Sequence, residues 1–139
     1  MLFRSEILFK AKRIDEQHKG EWIKGTPFFS PDKGRCVLIH AVAVHPDFVD
    51  DDGRVYYSEG TPVAPQTVCQ YTGLTDSNGV KIFEGDFVNV RTTAYMFRSC
   101  VVKWNESNAM WSVVSGAVRY RMSDSFKYEV IGNIHDEEK

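Results

Sequence analysis

The stretch Val118-Arg119-Tyr120-Arg121-Met122 sets Val118, Tyr120 and Met122 on one side of an extended chain and Arg119 and Arg121 on the other, and shortly after it Phe126, Tyr128 and Val130 alternate with Lys127 and Glu129. A repeat of two is the period of a strand, whose successive side chains point to opposite faces, whereas a helix would space its apolar residues at three and four. Working upstream, Asp86 to Arg91, Phe97 to Trp104 and Ala109 to Val114 are three further runs rich in β-branched and aromatic residues. Asn105-Glu106-Ser107-Asn108 and Ser115-Gly116 are among the turns that separate them. Residues 86–134 are therefore expected to form a meander of five short antiparallel strands, enough to curl into a small barrel.

The first half reads in the same way. Ile7, Phe9 and Ala11 alternate with Glu6, Lys10 and Lys12, and after the hydrophilic run Asp15 to Gly20 comes Glu21-Trp22-Ile23-Lys24, a pattern that predicts a hairpin. Residues 26–35, with Pro27, Pro31 and Gly34, read as a loop leading into a buried strand from Cys36 to Val44, and Pro46 to Gly53 as an acidic loop before Arg54-Val55-Tyr56-Tyr57. The expected class is mostly β, with an N-terminal β-hairpin region (1–66) packed on a motif and barrel-like meander (67–134), followed by an acidic tail (135–139).

Composition narrows the function. A chain of 139 residues that is 42% apolar and 13% aromatic has enough core material for one globular domain without disulfides or a structural metal. Three cysteines (Cys36, Cys69, Cys100) with no C-x-x-C pair give neither a disulfide framework nor a zinc knuckle. Charge interrupts the first ten residues every few positions, so they lack the apolar run of about 7–15 residues that a signal peptide needs. Cys36 to Val44 is under half of the roughly 20 residues of a membrane span. A cytoplasmic protein without membrane contact is expected. The net charge of −2 speaks against a dedicated DNA-coating protein, although residues 81–121 carry six basic side chains against three acidic ones.

No reactive centre stands out. His40 and His45 are five apart, so a strand would point them to opposite faces and away from a shared metal. Asp50, Asp52, Gly53 and Glu59 fall at positions three, five, six and twelve of a calcium loop, but position one is Phe48 and Val55-Tyr56-Tyr57 reads as strand, so a solvated turn is the plainer explanation. There is no G-x-S-x-G elbow, phosphate loop or G-x-G-x-x-G motif. Glu84 and Asp86 share a strand face by spacing, with Gly85 between them marking a bend. No catalytic residue, cofactor or metal site is assigned. The alternative is nucleic-acid contact: Arg98, Lys103, Arg119 and Arg121 with Trp104 and Trp111 would give a small barrel a basic face with aromatic platforms.

The densest motif lies between Val68 and Val90: Gln70-Tyr71-Thr72-Gly73-Leu74, Asp76-Ser77-Asn78-Gly79, then Lys81-Ile82-Phe83-Glu84-Gly85-Asp86-Phe87-Val88. Together with Ile7-Leu8-Phe9-Lys10-Ala11 to Trp22 and with Tyr128-Glu129-Val130-Ile131-Gly132-Asn133-Ile134, these blocks span nearly the whole chain, which resembles the YopX family of phage and prophage proteins. The resemblance implies a β-rich fold with SH3-like barrel character, a tendency to self-associate and no established biochemical activity. The motif itself reads as structural: Asn78-Gly79 predicts a two-residue type I′ hairpin turn, Gly73 and Gly85 suit tight bends, and Asp86 suits a turn cap. The expected function is a non-enzymatic phage or prophage accessory protein. It would act as a self-associating assembly or protein-binding module, with a homo-oligomer or a phage or host protein as partner.

Overall fold

The computed structural model describes residues 7–29, 36–39, 48–49, 51, 55–56 and 60–136. Among them the regular structure is antiparallel strand with one short 3-10 turn and no α-helix, as the period-two pattern requires. Cys69 begins a second compact unit after Leu8–Val68.

In Leu8–Val68, β1 (Phe9–Lys12) and β2 (Trp22–Phe29) form the expected hairpin, with Lys12 opposite Trp22. The Lys10 and Lys12 ammonium groups lie 4.4 and 5.2 Å from the centre of the Trp22 ring, where the negative face of the indole attracts a cation. β2 runs on through residues expected to open a loop: Thr26 to Phe29 pair with β3 (Cys36–Ile39). Pro27 is accommodated because its fixed φ lies within the extended region. β4 (Phe48–Val49) and β5 (Val55–Tyr56) form a short ladder, and β6 (Gly60–Val63) pairs with β3. The chain then returns to its start: Arg13 bridges Val63, and after β6 the Ala64 N–H donates to the Lys12 carbonyl at 2.9 Å. Ala11 and Val63 are buried there against Ile23 and Val68.

The second unit begins with the hairpin of β7 (Cys69–Thr75) and β8 (Lys81–Phe83). Its turn differs from the expected type I′. Of Asn78 and Gly79 only Gly79 has positive φ (80°), and the Gly79 N–H donates to the Asp76 carbonyl at 3.1 Å, which makes Asp76 to Gly79 a type I turn whose last residue is a left-handed glycine. Asp76 imposes this choice, because its Oδ1 accepts the N–H groups of Asn78 (2.8 Å) and Val80 (2.9 Å) and so fastens the turn from within.

β9 (Asp86–Arg91), β10 (Met96–Asn105), β11 (Met110–Ser115), β12 (Val118–Arg121) and β13 (Lys127–Asn133) form one five-stranded antiparallel sheet in the order β12-β11-β10-β9-β13. The five expected strands are present, but only the first four make a meander; the fifth returns to pair with the first. The chain between Arg121 and Lys127 spans at most about 20 Å when fully extended. A flat sheet would set β12 and β13 about 19 Å apart. Because that connection contains a turn, with the Phe126 N–H bonded to the Ser123 carbonyl, the sheet must curl. The ring contact of Phe97 on β10 with Tyr120 on β12, 4.7 Å between centroids, is the same curl seen from its concave side. No sheet closes on itself through continuous strand pairing among the described residues.

That concave side holds the core. Val88, Val90, Val102, Val113 and Tyr128 point into it from four strands, and Ile82 enters from β8. The Tyr128 hydroxyl accepts the Ser123 N–H and donates to the Ser123 carbonyl, closing the crossover. Gly85 and Asp86 behave as read. Gly85 has φ 82°, and a Cβ there would lie 3.1 Å from Ile134 Cγ1; Asp86 Oδ2 accepts the Phe83 N–H at 2.8 Å while its Oδ1 accepts from the Asn133 amide. Gly73 also bends the chain, at φ 90°.

The hairpin tip also acts on β13. Asp76 Oδ2 accepts the outward N–H of Val130 at 3.0 Å, and the outward carbonyl of Tyr128 accepts the Ser77 N–H at 2.9 Å. Burial works to raise the Asp76 pKa, but the three backbone donors, Val130, Val80 and Asn78, outweigh it and hold the group below its ordinary value of 3.8.

Three outcomes are expected. Ile82→Ala, which empties a fully buried site, should cost about 3 kcal/mol in denaturant unfolding, whereas exposed Val80→Ala should stay within about 0.5 kcal/mol. Asp76→Ala should cost about 3 kcal/mol, since it strands three N–H groups. Because the folded pKa is lowered, the contribution of Asp76 is complete above the ordinary carboxyl value and disappears as pH falls through the folded one. Below pH 4 the wild type should therefore lose stability more steeply than Asp76→Asn.

Candidate functional site

The two edges of the five-stranded sheet are finished differently. At β13 the outward N–H of Val130 and carbonyl of Tyr128 are taken by Asp76 and Ser77. At β12 all four residues are exposed. The Met122 N–H donates to the Trp111 carbonyl, and bonded and unbonded pairs alternate along an antiparallel ladder, so Tyr120 and Val118 turn their backbone groups to β11 while Arg119 and Arg121 turn theirs outward. Among the described residues no partner takes the N–H or C=O of Arg119 or Arg121. An edge with free donors and acceptors at alternate residues is a template for another strand.

Register also distributes the candidate side chains. Lys103, Ser112 and Arg121 lie in one row across β10, β11 and β12, and Val101, Val114 and Arg119 in the next, so Lys103, Arg119 and Arg121 share a face and all three are exposed. Arg98 is exposed in a bulge, where it and Ser99 (φ 53°) sit between the paired residues Phe97 and Cys100, and the Ser99 N–H donates to Asn89 Oδ1. Trp104 and Trp111 are directly opposed and in edge contact, with ring centroids 5.1 Å apart. They stand one residue out of phase with Lys103 and Ser112, and therefore on the face that carries Val102 and Val113. The six candidate residues are thus divided: Lys103, Arg119 and Arg121 on one face, the tryptophans on the other, and Arg98 apart in the bulge.

Beside the open edge, on the tryptophan face, lies an apolar rim. Val118 and Tyr120 are 44% and 37% exposed, and Tyr120 continues through Phe97 to Tyr95, itself 69% exposed. A shallow depression of about 180 Å³ near the other edge, lined by residues including Asn89, Arg91, Lys127 and Glu129, is smaller than the roughly 300–1,000 Å³ of ordinary small-molecule pockets.

The other sequence candidates fall as follows. Among the described residues no group of three or more His, Cys, Asp or Glu side chains is placed to hold a metal. His40, His45, Asp50, Asp52, Gly53 and Glu59 lie outside the described residues; the flanking pairs 48–49 and 55–56 are strands. Cys69 and Cys100 are buried, and burial raises the Cys100 pKa against a hydrogen bond from Ser115 that lowers it. No helix among the described residues is long and apolar enough to cross a membrane.

Two residues that organise this unit carried no assigned role in the sequence. Asp76 was legible in principle, since Asp-Ser-Asn-Gly is the composition of a type I turn with an aspartate-capped start. Asn133, whose amide donates to Asp86 and to the Glu84 carbonyl while its oxygen accepts the His135 N–H, had no such signal for its amide because the two acceptors are 47 and 49 residues away.

Comparison with known proteins agrees with the blocks at 68–90 and 128–134 and takes in Trp22, while Ile7 to Ala11 lie before the matched range. No curated protein matches the chain. The family model described as YopX protein matches residues 16–139, nearly its whole length, and the chain belongs to the YopX family.

Proposed function

We propose that this chain is a non-enzymatic accessory protein of the phage and prophage kind that works in the bacterial cytoplasm by binding protein chains, its own copies included. The observation that carries this is the contrast between the edges: on β13 the Asp76 turn takes the outward N–H of Val130 and carbonyl of Tyr128, while among the described residues the outward N–H and C=O groups of Arg119 and Arg121 on β12 have no partner and lie beside an exposed apolar rim. Folds ordinarily cover, charge or shorten such an edge, and leaving it open next to Tyr120, Phe97 and Tyr95 fits a surface meant to be covered by protein. The strand order, with the fifth strand returning to the first, supports an SH3-like barrel character for the second unit, a scaffold that commonly serves binding.

The competing role is nucleic-acid binding through Arg98, Lys103, Arg119 and Arg121. Trp104 and Trp111, which would have served as stacking platforms, lie on the opposite face, so such binding would rest on phosphate contacts and fall steeply with salt.

Light scattering on the purified chain tests the preferred function. A mass of at least twice 15.9 kDa at micromolar concentration is expected, decreasing when Tyr95 and Tyr120 are both changed to serine. A 15.9 kDa monomer at every concentration would count against self-association.

A further inference from the structure

We infer that the β12 edge receives an extended segment of a different protein in which acidic and apolar residues alternate. The inference rests on the protein-binding role proposed above and names the partner chemistry. A strand laid along β12 takes its hydrogen bonds from Arg119 and Arg121, and the residues directly opposite these two lie on the cationic face. That face presents Arg119, Arg121 and Lys103 at the edge and in the row behind it. The residue between them faces Tyr120 and the apolar rim. The complementary triplet is acid, apolar, acid.

A second copy of β12 does not fit. In a continuous sheet opposed residues share a face, so two antiparallel copies paired along β12 place Arg119 opposite Arg119, Arg119 opposite Arg121, or Arg121 opposite Arg121, and like charges directly opposed destabilise a pair. Other segments of the chain fit no better. Its acidic residues spaced by two are Asp50 and Asp52, Glu84 and Asp86, and Asp136 and Glu138, and the residues between them, Asp51, Gly85 and Glu137, are not bulky apolar ones. Copies of this chain would thus associate through the apolar rim, and the edge is left for a foreign strand.

The test uses dye-labelled, end-blocked octapeptides and fluorescence anisotropy with the full chain. The alternating peptide Glu-Val-Glu-Tyr-Glu-Val-Glu-Tyr should bind at least about tenfold more tightly than its lysine counterpart and than a version with the glutamates grouped at one end. Affinity should fall with added salt. Methylation of the glutamate backbone nitrogens, which face the edge, should abolish binding, while methylation of the valine and tyrosine nitrogens should spare it. Arg119→Glu with Arg121→Glu, both exposed and checked for unchanged melting, should reverse the preference toward the lysine peptide. Equal binding of acidic and lysine peptides, indifference to glutamate N-methylation, or preferential capture of a single-stranded oligonucleotide would overturn the inference. Failure to bind any peptide by a chain that still self-associates overturns it and leaves the proposed function standing; failure by a chain that is also monomeric removes both.

Discussion

The Asp76 carboxylate is the interaction on which the second unit depends. One of its oxygens holds the β7–β8 turn through Asn78 and Val80, and the other reaches across 54 residues of sequence to the Val130 N–H. A buried charge is costly unless its acceptor sites are filled, and here three backbone donors fill them. Local turn chemistry and long-range sheet architecture are thus joined in one side chain. Without it the hairpin would lose its internal fastening and the outward N–H of Val130 on β13 would lose its acceptor.

Around that point the unit is organised by reach. The short connection between β12 and β13 forces a curl, the curl brings Phe97 against Tyr120, and the concave side it creates takes in Ile82 from β8 along with the valines of the sheet. Gly85 and Asp86 fit the same scheme, one by left-handed backbone close to Ile134 and the other by bonding Phe83 and Asn133. The motif from Gln70 to Val88 is thereby a set of structural joints, and the surface proposed for binding lies elsewhere, at β12, whose outward backbone groups have no partner among the described residues.

Much of this was legible in the residues. The alternation of Val118 to Met122 and of Phe126 to Val130 gave both strands and their faces, because pleating ties side-chain direction to sequence parity. Parity also separates Trp104 from Lys103 within β10, but putting Trp111 with Trp104, and Arg119 and Arg121 with Lys103, needed the register between strands. Strand order was not legible: nothing in the residues from Ser123 to Phe126 states that β13 passes β12 and joins β9, since that depends on how far the whole sheet has curled. Nor was the turn type at Asn78-Gly79, where the dipeptide favours I′ and the preceding aspartate overrides it. The continuation of β2 through Pro27 likewise depended on a partner strand that the proline itself does not announce.

The central claim is that the Asp76 turn caps one edge of the sheet at Tyr128 and Val130 while the other edge is open, and residue-resolved amide hydrogen exchange on the monomeric chain tests it most directly. The N–H groups of Ser77 and Val130 should be protected to nearly the same degree as that of Val102, and those of Arg119 and Arg121 should exchange at nearly unfolded rates while Met122 beside them is protected. Arg119 and Arg121 as slow as Val130 in the monomer, or Val130 as fast as they are, would contradict it.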